Sequence, residues 1–217
     1  PIGRTIIGGA PEGFDASVIA NDLVRAGAPM VVVLRDDARM AAMREALTLL
    51  AADVPVFEFP AWDCLAYDRI SPNGEIVARR MATLAMLAQG FDRPALVLTT
   101  LNAAIQRVPS RAHIAGASFL AEVGRSVNLG ALQSYLVRMG YTQVSTVTEH
   151  GEYAQRGGLI DIFPPGAENP VRLDLFGDVL DGVRRFDAQT QRTLEKIKTI
   201  ELAPASEIAL DEAAIER

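Results

Sequence analysis

Three residues, Phe176-Gly177-Asp178, separate the apolar runs Val171–Leu175 and Val179–Phe186. A parallel crossover needs about a dozen residues or more, so these runs can pair only as an antiparallel hairpin. The runs Gln143–Thr148 and Leu159–Phe163 obey the same restriction, because short turns rich in Gly, Pro and Asp divide the whole series. A strand over Ala121–Val127 and a helix from an Asn128 cap to Met139 precede them. Residues 117–203 are therefore expected to form a smaller, mainly antiparallel α+β domain.

The first half follows the opposite rule. Its strand-like runs, Thr5–Ile7, Met30–Leu34, Val54–Phe59 and Ala95–Thr99, alternate with helix-length segments at Ala16–Ala26, Ala38–Leu50 and Glu75–Gln89. Strands apolar on both faces, joined through helices, indicate a parallel sheet covered on both sides. Asp15 and Asp37 are the expected caps of the first two helices. Residues 1–116 thus read as an α/β domain, and 204–217 as the start of a further element returning to it, within a longer protein.

With 217 residues, 49% of them hydrophobic, the chain can fill one or two ordinary cores. A net charge of −6 argues against a surface that binds nucleic acid all over. Cys64 is the one cysteine, so no internal disulfide can form and a cytoplasmic location is expected. No apolar run approaches the roughly 20 residues that span a bilayer, so no membrane partner is expected.

Four constellations could carry chemistry. In GGAPEGFDAS, Gly8 and Gly13 stand at phosphate-loop spacing, but Phe14 occupies the position of the phosphate-binding Lys and Asp15 that of the magnesium-binding hydroxyl. An anion beside phosphates is unfavourable, and the glycines fit a plain strand-to-helix turn equally. The histidines, His113 and His150, lack neighbours at metal-ligand spacing, which fits surface or capping roles. Between Phe59 and Arg80, Trp62, Tyr67 and Asp68 form either a binding edge or a seal over the sheet, with Ser71-Pro72-Asn73 starting a helix. In Val171–Phe176 the period-2 rule sends Val171, Leu173 and Leu175 to the core and Arg172, Asp174 and Phe176 outward. Phe176 is then a partner anchor or is covered by another segment.

The stretches His150–Ile197 and Phe59–Leu87 closely resemble the amino-terminal, UvrB-like region of the bacterial transcription-repair coupling factor family. UvrB itself has a helicase-like first domain with an intact phosphate loop and a second domain that binds UvrA. The resemblance therefore implies a degenerate, phosphate-loop-type helicase fold at residues 1–116. Phe14 and Asp15 depart from the UvrB pattern, so no cofactor is expected in this chain. The connection at Trp62–Asn73 is also too short for UvrB's DNA-engaging hairpin.

What the resemblance does imply is a non-catalytic UvrA-recruiting module acting in transcription-coupled excision repair. Its contacts match Arg156, Arg172 and Phe176 in the motifs RG-x-L-[IL]-D and RLD-x-F. ATP, magnesium, double-stranded DNA and stalled RNA polymerase would engage other domains of the parent translocase. Another of those domains would mask the UvrA face until the motor engages. The competing reading is a UvrB-like fragment that binds nucleotide or DNA, from which Phe14 and Asp15 argue away.

Overall fold

The computed structural model describes residues 3, 5–11, 13–64 and 72–207. In chain order its elements are α1 (Phe14–Ala26), β1 (Met30–Leu34), α2 (Asp37–Leu50), β2 (Val56–Phe59), α3 (Gly74–Gln89), β3 (Leu96–Thr100), α4 (Leu101–Ala104), α5 (Arg111–Ala115), β4 (Phe119–Glu122), α6 (Leu129–Arg138), β5 (Thr142–Gln143), β6 (Glu152–Arg156), β7 (Leu159–Ile162), β8 (Val171–Phe176), β9 (Val179–Phe186), β10 (Thr193–Ile197) and β11 (Thr199–Leu202). The fold is mixed α/β, with sheets of parallel and of antiparallel strands. It divides into two compact units, 1–61 with 91–106, and 62–90 with 107–217. Helix α3, which lies between β2 and β3 in sequence, belongs to the second unit.

In the first unit β1, β3 and β2 form a parallel sheet in that order, with Met30 and Val56 both registering against Leu96. Helices α1 and α2 bury Leu23, Met43 and Leu47 against Leu96 and Leu98 of β3. Helix α2 starts one residue earlier than expected, because Asp36 accepts the Arg39 amide at 2.8 Å and so is the cap in place of Asp37. That amide and the Arg35 guanidinium hold the Asp36 carboxyl below its usual range. Helix α1 begins at Gly13, whose φ of 84° is left-handed, and has no side-chain cap; Asp15 sits inside its first turn. The expected strand Thr5–Ile7 is not formed, and Ile6 is 78% exposed. Three apolar residues make a strand only where a neighbour offers a ladder.

The second unit is built on a six-stranded sheet ordered β10-β9-β8-β7-β6-β5, antiparallel except for β5 with β6. One face packs Tyr153, Ile160, Ile162, Leu173 and Val183 against α6, whose Asn128 cap accepts the Ala131 amide at 2.9 Å as expected. The opposite face buries Ala154 and Phe186 with Val147 and Phe163. The run Gln143–Thr148 is a strand only at Thr142–Gln143; its continuation places Val147 in this second cluster instead of extending the ladder. The strand expected over Ala121–Val127 spans Phe119–Glu122 and pairs with β11, and a turn with Gly124 at φ 85° ends it.

Helix α3 is tied to Glu207, in the segment after β11, by a buried ion pair. Arg80 is fully buried, and its Nε and Nη2 both donate to the Glu207 carboxylate, the latter at 3.0 Å. Trp62 Nε1 donates to the same carboxylate at 3.1 Å, and the guanidinium lies 5.3 Å from the Trp62 ring centroid. Desolvated charges are tolerable only when they face each other. Glu207→Ala should therefore destabilise the second unit by about 3 kcal/mol or more, read as a lower urea midpoint.

Candidate functional site

The outer face of the six-stranded sheet carries the residues that alternation singled out. Strands β6 to β9 are joined in part by two-residue turns, Gly157-Gly158 after β6 and Gly177-Asp178 after β8, with left-handed φ at Gly157 and Gly177. Both turns lie at one end of the sheet, since β6 and β8 run in the same direction. A Cβ on Gly158 would stand 2.5 Å from the Leu175 carbonyl, whose amide donates to the Gly158 carbonyl at 2.9 Å, so glycine is required at that close approach. Arg156 and Phe176 end β6 and β8; Arg156 is level with Asp174, so Phe176 lies two strand spacings across and two residues further along, roughly 12 Å away.

Register places the remaining side chains. Ala154, Asp161, Arg172 and Arg184 face one another across β6 to β9, and Arg156, Leu159, Asp174 and Gly182 form the next row toward the turns. Asp161 is 4% exposed, and its two oxygens accept from Arg172 Nε at 2.6 Å and Nη2 at 2.8 Å. This fork raises the Arg172 pKa further and holds the guanidinium 4.7 Å from the Phe186 ring centroid. Arg184 Nη2 donates to Asp174 at 3.0 Å.

Arg156 is exposed, and its Nη2 donates to the Ser145 carbonyl at 2.6 Å. Phe176 is 85% exposed, with Val179 opposite it and Leu159 also partly in solvent. Strand alternation thus holds: Val171, Leu173 and Leu175 are buried, Arg172 and Asp174 half-buried, Phe176 open. Asp161, the last residue of the motif that Arg156 opens, orients Arg172, a role the motif alone does not assign. The alternation of Leu159-Ile160-Asp161-Ile162 does point it outward, but which strand it faces is a matter of register.

The other expected site belongs to the first unit. Gly8 and Gly13 precede α1 as coil and turn, and Phe14 is exposed at its first position. Asp15 is clasped by Arg39, whose Nη2 lies 2.7 and 2.5 Å from the two carboxylate oxygens. An open depression of about 410 Å³ there is lined by Ala10, Pro11, Gly13, Asp15, Arg35 and Arg39. Its anion and cation already satisfy each other, and the strand that should feed the loop is missing.

Trp62 is engaged by Arg80 and Glu207, while Tyr67 and Asp68 lie outside the described residues. His150 stacks on Phe163 with ring centroids 4.0 Å apart, and its Nε2 is 2.9 Å from the Ala167 carbonyl. The His113 amide donates to the capping Ser110. Among the described residues no cluster of His, Cys, Asp or Glu is placed to hold a metal ion, and no helix is long and apolar enough to cross a membrane.

Residues 120–208, which contain this sheet, match the family model described as the UvrB interaction domain. Beyond that segment, the chain is homologous over most of its length to transcription-repair-coupling factors. It is 36% identical to that of Escherichia coli over 93% of the chain, and 34% identical to that of Haemophilus influenzae over all of it. The factor of Myxococcus xanthus is 36% identical over 84% of the chain. The chain spans 17%, 19% and 16% of the length of these three relatives.

The Asp161 carboxylate is mostly desolvated and faces one cation. Asp161→Ala should therefore cost about 2–3 kcal/mol, seen as a lower urea midpoint, whereas Asp161→Asn, which keeps one acceptor, should cost less.

Proposed function

We propose that this chain is a non-catalytic UvrA-docking module of a transcription-coupled repair factor. The observation that carries the reading is an almost fully exposed Phe176 at the end of β8, on the same outer face as Arg156 and Arg172, within the segment that matches the UvrB interaction domain. A large aromatic ring in water costs free energy that burial in a partner pocket regains, and Arg flanking it suits acidic groups. Arg172 would act through its remaining edge: Nε and one N–H of Nη2 are committed to Asp161, which leaves Nη1 and the second N–H of Nη2 for a partner carboxylate.

We also read the first unit as a helicase-like α/β fold that has lost its nucleotide site. Support comes from Phe14 and Asp15 at the two ligand positions and from Arg39 occupying the Asp15 carboxylate. In this reading the ATP, magnesium, DNA and RNA polymerase chemistry of the parent protein belongs to other parts of it, one of which masks the UvrA face. Saturable ATP binding to this chain in magnesium would favour the UvrB-like alternative.

Phe176→Ala and Arg156→Ala should each weaken UvrA binding by about 2 kcal/mol, near thirtyfold in Kd, by surface plasmon resonance. Phe176→Ala should melt like the wild type because the ring makes little of the core. Native affinity in both variants would remove the site assignment. Under the masking reading, the 217-residue chain binds UvrA more tightly than the full-length protein; equal affinities would remove it.

A further inference from the structure

Gly182 stands in the interior of β9, on the outer face, between the buried Val183 and the exposed Asp181. Glycine in a strand interior sacrifices backbone entropy and side-chain packing, so its presence needs a cause. Neither a close neighbour nor a left-handed backbone supplies one. A Cβ built on Gly182 meets nothing within 4 Å, and its φ lies outside the left-handed range. The β8–β9 register does slip between Asp174 and Leu175, leaving Asp181 as the extra residue, yet that bulge does not use a left-handed glycine.

The surroundings of the bare position are those of a contact surface. Across β8 lies Asp174, bonded to Arg184; toward the turns lie the open Phe176 and Val179. Asp161 and Asp174 answer Arg172 and Arg184, so Arg156 and Lys196, which registers against Arg184 on β10, remain the uncompensated cations of this face among the described residues. Asp181, beside Gly182, is an exposed carboxylate, so the excess positive charge of this face is at Arg156 and Lys196, and it is there that acidic groups of a partner are selected. The same face is already closed at its other end by Val147, Phe163 and Phe186, which leaves the Gly182 half open.

Resting on the docking role proposed above, we propose that the surface extends across β9, and that a segment of UvrA crosses it at Gly182 within backbone distance, with acidic side chains reaching Arg156 and Lys196. The missing Cβ is then a property of the interface and not of the fold.

The test titrates UvrA against the immobilised 217-residue chain carrying Gly182→Ala, Gly182→Trp, Lys196→Glu or Phe176→Ala, with thermal melts of each. Gly182→Ala should melt at or above the wild-type temperature and still bind more weakly. Gly182→Trp should bind at least about tenfold more weakly. Lys196→Glu should slow association at low salt. Wild-type affinity in both Gly182 variants, with Phe176→Ala weakened, would overturn this inference and leave the docking role intact. Wild-type affinity in Phe176→Ala would remove the docking role and the inference with it. Should Gly182→Trp melt early, Gly182→Ala decides, and unchanged affinity there overturns the proposal.

Discussion

Pairing β6 with β7 and β8 with β9 through tight glycine turns, with β7 laddered to β8 between them, is the constraint from which the rest of the second unit follows. Once Arg156 is opposite Leu159 and Phe176 opposite Val179, period-2 alternation leaves no freedom. A slip of one residue would carry Ile160, Leu173 and Val183 into water and bring Asp161, Arg172 and Arg184 into the core. The desolvated Asp161–Arg172 fork reinforces this, since each charge tolerates its position only while the other stands opposite. Core, ion pair and exposed ring are therefore consequences of one register.

Much of this was legible in the residues. Continuous apolar runs mark β1 and β3, Asn73 and Asn128 mark two helix starts, and alternation in Val171–Phe176 by itself separates the buried from the outward side chains. Two of the strands that escaped did so for separate physical reasons. β6 reads Glu-Tyr-Ala-Gln-Arg and buries Tyr153 and Ala154 on opposite faces, so its apolar residues are adjacent and no alternation shows. β10 is an edge strand with nearly every side chain in solvent, and only its hydrogen bonds to β9 define it. Conversely, Gln143–Thr148 looks like a strand because its apolar residues serve the second cluster.

The candidate site was legible in its chemistry and not in its geometry. Arg172 and Phe176 could be placed outward by counting, but the partner of Arg172 could not, because Asp161 is eleven positions away and meets it only through the ladder. The opening glycine pattern misled in the other direction. Spacing suggested a phosphate cradle, while the Arg39–Asp15 clasp arises between two helices and is invisible to a motif.

The pairing of Arg80 with Glu207 bears on how such a module could be moved between proteins. The family segment covers residues 120–208 and so includes Glu207, yet the guanidinium on which it closes belongs to α3, 127 positions earlier in the chain. Recombination that transplanted the matched segment alone would carry half of a buried electrostatic clasp. Its hereditary unit is thus discontinuous, and inheritance of the sheet is coupled to inheritance of a helix outside the boundaries by which the domain is recognised.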